Sequence, residues 1–456
     1  MSERLVIIGG VAAGTKAAAT ARRRNAGASI VLLQDEADVS YSACGLPYHL
    51  ADLDRIPRSK LIARTPEAFR ADGIDMRTRH RVEDIDLDGG TLKVCDLQAG
   101  RVYTEPFDRL LLATGARPNR LNVPVSPNAP PIAYLRSIVD ADRIVDRLPD
   151  IRRVVILGGG YIGLETAEAF SRLGREVAIV EMMPRLIPAF APPLGQAVDD
   201  RVRENGVGLF MGSGVSGLDQ KHVVLDNGER LPADLVLAAT GVSPSTELAT
   251  AAGITLGHTG AIAVNSRMQT NRSHVYAAGD CAESYHRVAN RAVWLPLGDV
   301  ANRHGKVAGT NMAGGRAVFP GVLGTAIFKV FGLAVARTGL GEAEALAAGY
   351  RPTSQVVEVP SRARYMEGSR KLLVHLTADR ATGKVLGCQV TGDDAADKII
   401  DTVAAALWGN LTVDDLADLD LAYAPPYSPV LAPVQVAGEV LKKHVGGNTR
   451  PIIDKN

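Results

Sequence analysis

Two kinds of residue in this sequence could do chemistry: isolated thiols, and glycine runs that sit near carboxylates. The thiols are Cys44, Cys95, Cys281 and Cys388. They lie far apart, with no Cys-X-X-Cys pair and no Cys/His cluster. That spacing argues against a metal site and against a disulfide-stapled scaffold. No second cysteine follows Cys44 closely; Cys95 is 51 residues on. Dithiol chemistry therefore has no partner there. A thiol working alone must be oxidised to a sulfenic acid, a persulfide or a mixed disulfide.

The glycines are more specific. Gly158, Gly160 and Gly163 make a full Gly-X-Gly-X-X-Gly after an apolar run and before a helical pattern. Such a turn lets backbone N–H groups approach a pyrophosphate at a helix N-terminus. Glu181 follows 18 residues after Gly163, where a carboxylate accepts from ribose hydroxyls. A 2′-phosphate would meet that acid as a like charge, so NADH is the expected ligand, with NADPH as the alternative. The earlier run is looser. Gly9 and Gly14 hold the outer positions, and Val11 stands where the middle glycine is expected. Its ribose contact would come from Gln34 or Asp35. Ala113-Thr114-Gly115, Gly241 in a second Ala-Thr-Gly, and Gly279-Asp280 close strand-like runs. Asp280 can accept from a sugar-like hydroxyl, while the Gly279-Asp280 backbone can reach a phosphate. Two dinucleotide sites on one chain suggest a flavin and a nicotinamide meeting face to face, because hydride transfer needs near-contact.

The elements that must position these residues repeat. RLVIIGGVAAG (4–14) parallels RVVILGGGYIG (153–163), and each is followed by a second strand, 29–36 and 176–183. RLLLATGARP (109–118) parallels LVLAATGVSP (235–244). Two βαβ units are predicted, with a further strand at 273–280 and a helix at 298–313. From about residue 326 the pattern alternates. It predicts antiparallel strands at Gln355–Pro360, Lys371–Ala378 and Val385–Val390, then helices at Asp393–Trp408 and Val413–Asp418, then a Pro-rich stretch.

The 456 residues suggest about three domains. A formal net charge of +1 gives no basic excess for nucleic acid or an anionic membrane surface. No apolar run is long enough to cross a membrane. The apolar start, Met1 to Gly14, ends in a glycine turn instead of a cleavage site, so it reads as a strand and not as a signal peptide. A cytoplasmic protein is expected.

Tyr41-Ser42-Ala43-Cys44-Gly45-Leu46-Pro47-Tyr48, LLATGARP (111–118), LGGGYIGLE (157–165), YAAGDCAE (276–283) and LAYAPPYSPVLAPV (421–434) together resemble the pyridine nucleotide-disulfide oxidoreductases. Within them the sequence is similar to the single-cysteine branch of coenzyme A-disulfide and persulfide reductases. The resemblance implies an α/β fold with two Rossmann-like domains, for FAD and NAD, and a C-terminal α+β dimerisation domain. The implied boundaries are 1–117 with 245–325, 118–244, and 326–456. It implies that Cys44 lies near the flavin and cycles between thiolate and an oxidised form. A turn entering a helix, as Cys-Gly-Leu-Pro suggests, would lower its pKa. Tyr423 and Tyr427, with Tyr365 as a weaker match, are implied near the cysteine of a partner subunit in a homodimer. A phenol there can protonate a leaving thiolate. Tyr161 resembles a gate over the flavin, and Glu165 an acid at the flavin-nicotinamide contact whose usual lysine partner is not identifiable. Ser42 joins the cofactor-binding set.

The expected activity is NAD(P)H-dependent reduction of a small sulfur substrate, with coenzyme A as a substrate-derived ligand. Lys16, Arg22, Arg23 and Arg64 could hold its phosphates, or form a solvated basic face. His49 is expected at the surface. An NADH oxidase or peroxidase is one rival; Ala12 and Ala13 fill the loop where those enzymes carry a histidine. An electron-transfer flavoprotein reductase is another.

Overall fold

The computed structural model describes residues 3–446. Met1, Ser2 and the end of the expected C-terminal domain, 447–456, lie outside the described residues. Three five-stranded sheets organise the chain. The first is parallel. Its order is Val275–Ala277, Arg109–Leu112, Arg4–Ile8, Ser29–Gln34, Asp75–Thr78. Leu5, Val6, Ile7 and Leu110 to Leu112 are fully buried, as strands covered on both faces require.

The second sheet repeats this plan. Its order is Gly208–Met211, Glu176–Glu181, Arg153–Leu157, Leu235–Ala238, Ile132–Ala133, again parallel. The register is equivalent, with Arg4 opposite Ser29 and Arg153 opposite Glu176. In each unit a twelve-residue helix follows the glycine loop: Ala13–Arg24 and Tyr161–Arg172.

The first unit gains a second helix, Gly298–Met312, laid against Ala13–Arg24. Glycines make the approach close. A Cβ on Gly305 would lie 2.3 Å from the Ala13 carbonyl oxygen, and one on Gly309 2.3 Å from that of Ala17.

The third sheet is antiparallel: Ala326–Val330, Leu333–Gly339, Val385–Gly392, Lys371–Asp379, Pro352–Pro360. Ala396–Gly409 and Pro433–Lys442 pack on it through Ile400, Val403, Leu407, Val434 and Leu441. The helix expected from Asp393 starts at Ala396, because Ala395 turns left-handed at φ 57°. The helix Pro433–Lys442 was not anticipated. Its N-terminal proline suits a first helical turn but hides it within a Pro-rich stretch. The strands expected at 29–36 and 176–183 stop at Gln34 and Glu181, whose side chains turn back onto the glycine loops. No helix among the described residues is long and apolar enough to cross a membrane.

Candidate functional site

The first glycine loop lies between the strand Arg4–Ile8 and the helix Ala13–Arg24. A Cβ on Gly14 would sit 1.8 Å from the Gly9 carbonyl oxygen, so no larger residue closes this turn. The Gly10 N–H donates to Gln34 Oε1 at 2.6 Å. Of the two residues proposed for the ribose, Gln34 is thus buried and engaged with its own loop, while Asp35 is exposed on the cleft wall. The second loop is built the same way. A Cβ on Gly163 would sit 2.0 Å from the Gly158 carbonyl oxygen, and one on Gly160 would meet nothing within 4 Å. Glu181 accepts from the Gly159 N–H at 2.7 Å and from the Met183 N–H at 2.8 Å.

A cleft of ≈ 600 Å³ opens over the first loop. Gly9, Gln34, Asp35, Ser42, Cys44, Ala113, Thr114, Gly115, Gly279 and Asp280 all line it. The strand-end turns take positive φ at Gly115, Gly241 and Gly279, and Thr114 Oγ1 donates to the Ser245 carbonyl at 2.6 Å. Asp280 is held by Arg136, Nη2 to Oδ2 2.7 Å. Burial pushes the Asp280 carboxyl up, and the Arg136 charge opposes that. A twelve-residue helix N-terminus, a side-chain-free turn and a half-buried carboxylate on one cleft fit a dinucleotide.

Cys44 lies in a single turn, Ala43–Gly45, that runs into the helix Leu46–Ala51. Cys44 is exposed on the cleft wall, and the residues around it partly desolvate it. That desolvation pushes the thiol pKa up; Glu165 adds to it, then Asp280 and Asp299, and Arg136 opposes. The expected lowering does not occur in the polypeptide alone. A helix this short offers a weak dipole, and three carboxylates act on the sulfur. Gly298 approaches it: a Cβ there would lie 3.8 Å from Cys44 Sγ.

Glu165 is half-buried, and desolvation pushes its pKa up; Tyr48 donates to its Oε1 at 2.9 Å and pulls the other way. Tyr161 stacks on Phe328 of the third sheet, centroids 4.5 Å apart. The same helix is docked on that sheet by Glu168, which accepts from the Phe331 N–H at 2.6 Å.

The three C-terminal tyrosines do not line the Cys44 cleft of their own chain. Tyr365, Tyr423 and Tyr427 are 76%, 49% and 74% exposed. Their two loops adjoin, the Ala363 N–H donating to the Pro425 carbonyl at 3.2 Å. Of the basic residues considered for phosphates, Arg22 is tied to the Ala26 and Gly73 carbonyls, and Arg64 to Asp72 and the Ala68 carbonyl. His49 is corrected: it is 5% exposed, with Nδ1 2.7 Å from the Ile56 carbonyl oxygen.

Sequence reasoning missed Arg136, Glu36 and His304. Glu36 lines the cleft and accepts from the Tyr41 hydroxyl at 2.9 Å. His304 is fully buried and supports the Gly279 turn, its Nδ1 accepting from the Gly279 N–H at 3.3 Å. Burial drives its pKa down to about 3. Glu36 could have been found as the second acid of Gln34-Asp35-Glu36; the other two stand in no motif.

Residues 3–296 match the pyridine nucleotide-disulphide oxidoreductase family, and residues 325–433 match the dimerisation domain of pyridine nucleotide-disulphide oxidoreductases. The chain is 36% identical to the NAD(P)H coenzyme A polysulfide/persulfide reductase of Pyrococcus horikoshii, over 97% of this chain and 99% of that one. Among solved structures, the NAD-dependent persulfide reductase of A. fulgidus matches with TM-score 0.92 and 37% identity, over 96% of this chain and 83% of that one. The reduced CoADR-RHD of Bacillus anthracis matches with TM-score 0.94 and 33% identity, over 97% and 80%.

Proposed function

The chain belongs to the pyridine nucleotide-disulphide oxidoreductase family, and from that premise we propose that it reduces coenzyme A persulfide, polysulfide or disulfide with NAD(P)H through Cys44. The observation that carries this reading is Cys44 on the wall of the cleft over the first glycine loop, with Tyr48, four residues on, hydrogen-bonded to Glu165 of the second unit. The names of the relatives support the substrate class.

The first unit, including the returning strand Val275–Ala277, is the FAD domain; residues 118–244 are the nicotinamide domain. The glycine loop and the N-terminus of Ala13–Arg24 would hold the FAD pyrophosphate, and Asp280, fixed by Arg136, could accept from a hydroxyl of its sugar-alcohol chain. Bound there, FAD supplies a two-electron relay between nicotinamide and sulfur. Gly158, Gly160 and Gly163 take the nicotinamide nucleotide, and Glu181 favours NADH.

Cys44 as thiolate attacks one sulfur of the substrate. The sulfur–sulfur bond breaks, a mixed disulfide or persulfide forms on Cys44, and the leaving thiolate takes a proton. Tyr423 and Tyr427 supply that proton from a partner subunit, with Tyr365 on the adjoining loop. Their exposure on the C-terminal unit and the dimerisation-domain match support a homodimer. Two electrons and a proton from NAD(P)H then break the new sulfur–sulfur bond, return Cys44 to the thiolate and release the second product as a thiol or sulfide. The net change is one NAD(P)H and one proton consumed per sulfur–sulfur bond cleaved. A cytoplasmic setting suits a reductase with free thiols.

NADH consumption over coenzyme A disulfide, persulfide, polysulfide, oxygen and peroxide tests this. The sulfur compounds should turn over fastest, and Cys44→Ser should slow them by about a thousandfold. Full turnover by Cys44→Ser would refute the reading.

A further inference from the structure

At the opposite edge of the first sheet lies a second opening, of ≈ 420 Å³, whose lining includes Arg109, Arg267, His274, Asn311 and Arg316 but no carboxylate. Arg109 and His274 stand where the strands Arg109–Leu112 and Val275–Ala277 begin; the far ends of those strands lead to the flavin cleft. The two openings share no lining residue. Three guanidinium groups converge on the loop that follows Gly298–Met312. Arg267 Nη2 donates to the Gly315 carbonyl at 3.2 Å, a Cβ on Gly315 would lie 2.7 Å from Arg24 Nε, and Arg316 is the next residue. Arg109 is already neutralised by Glu3, Nε to Oε1 2.6 Å, and caps the helix end through the Asn311 carbonyl at 3.0 Å. Arg24 suits the last turn of its own helix, where a cation is favourable. Arg267 and Arg316 lack even that much. Among the described residues Arg267 pairs with no carboxylate and its Nε is buried without an acceptor, while the side chain of Arg316 has no hydrogen bond or ion pair. The loop is nevertheless held. Asn311 is 2% exposed; its Nδ2 donates to the Arg267 and Ala317 carbonyls, both at 2.9 Å, and its Oδ1 accepts from the Ala317 N–H at 2.7 Å. One buried side chain thus ties the segment carrying Arg267 to the segment carrying Arg316.

We propose that this opening is an oxyanion site that takes a diphosphate group between Arg267 and Arg316, with Arg24 beside Gly315 as the third cation. Like charges gathered without a counter-ion repel one another, and a bound polyanion removes that cost. Guanidinium groups present paired N–H donors that match phosphate oxygens. A concavity lined by one sign of charge concentrates the field on such a ligand. Three cations outnumber the charge of a single phosphate group, which favours two linked phosphates. The cycle proposed above uses none of these residues, so the site stands or falls independently of Cys44.

The experiment is calorimetric titration of the flavin-loaded protein with pyrophosphate at low ionic strength. Saturating NAD+ keeps the second glycine loop occupied. Pyrophosphate should fill one site about tenfold more tightly than sulfate at matched ionic strength. ADP, titrated in parallel, separates the sources of the group: binding tighter than pyrophosphate assigns a nucleotide as its carrier, and weaker binding assigns the free diphosphate. Arg316→Glu should weaken pyrophosphate about tenfold or more, and Arg267→Gln about fivefold. Flavin content and NADH turnover should stay as in wild type in Arg316→Glu, because Arg316 lies outside the flavin cleft. Pyrophosphate that binds no more tightly than sulfate marks a general cationic patch and overturns the proposal. An Arg316→Glu protein that binds pyrophosphate as wild type does overturns it too. Where Arg267→Gln does not fold, Arg316→Glu still decides, since that side chain is exposed.

Discussion

In the first unit Gln34 accepts the Gly10 N–H at 2.6 Å; in the second Glu181 accepts the Gly159 N–H at 2.7 Å. The same strand end braces the same turn, once with a neutral amide and once with a charge. What surrounds the two turns differs more. Over the first loop lies Gly298–Met312, in glycine-mediated contact with Ala13–Arg24, and the returning Gly279-Asp280 turn. At the second, Gly160 faces open space. On the function proposed above, a ligand on the first loop would be walled in, and one on the second would be free to enter and leave. The cover, more than the glycine pattern, separates a resident cofactor site from an exchanging one.

The largest effect should come from prising off that cover. Gly305→Leu puts a side chain where a single Cβ already lies 2.3 Å from the Ala13 carbonyl. Helix separation should cost about 3 kcal/mol or more and strip the flavin, read as loss of visible absorbance and a fall in Tm. A protein that keeps its flavin would break the comparison at its root.

Next comes the charge on the second loop. Glu181→Gln keeps an acceptor for Gly159 and removes the repulsion a 2′-phosphate would meet. The ratio of kcat/KM for NADPH over NADH should rise about tenfold, the equivalent of about 1.4 kcal/mol. Flavin content should not change. An unmoved ratio would mean that Glu181 serves only its loop.

The repeat of glycine loop and strand was legible because it is local: β-branched residues, a turn and a helix fall within 30 residues. So were Gly158, Gly163 and Asp280, whose backbone or charge requirements follow from that turn. What stayed hidden is made by distance. Arg136 meets Asp280 across 144 residues, Tyr48 meets Glu165 across 117, and His304 reaches the Gly279 turn from another helix. The burial of His49 is likewise hidden in the sequence, because it shows only once the chain turns back to bring the Ile56 carbonyl to its Nδ1. Even the pKa direction for Cys44 comes from tertiary structure: desolvation first, then Glu165, Asp280 and Asp299, which lie in three separate segments.

His304 sharpens the comparison through pH. Its folded pKa, about 3, lies below the ordinary value of 6.5, so the unfolded chain binds the proton first. The stabilising contribution is complete above pH 6.5 and is lost as pH falls toward 3. His286 is lowered too, whereas residues 118–244 contain only His222. Acid should therefore loosen the first unit and release flavin before the second unit unfolds. Denaturant titrations at pH 7 and pH 5 should show the loss, and His304→Asn should flatten it. An identical pH slope in the variant would remove His304 from the support of the Gly279 turn.

The smallest effect tests the likeness between the units directly. Gln34→Glu gives the first loop the brace of the second. The Gly10 N–H keeps its acceptor, and the added charge joins Asp35 and Glu36, whose carboxyl is already pushed up by burial and by Asp35. A cost of about 1 kcal/mol is expected, growing as pH rises because the new carboxyl is held above its unfolded pKa and resists ionising. Flavin content at neutral pH should hold. If Gln34→Glu instead loses flavin while remaining folded, the amide serves the ligand and not the turn. The two loops would then be braced alike without being interchangeable.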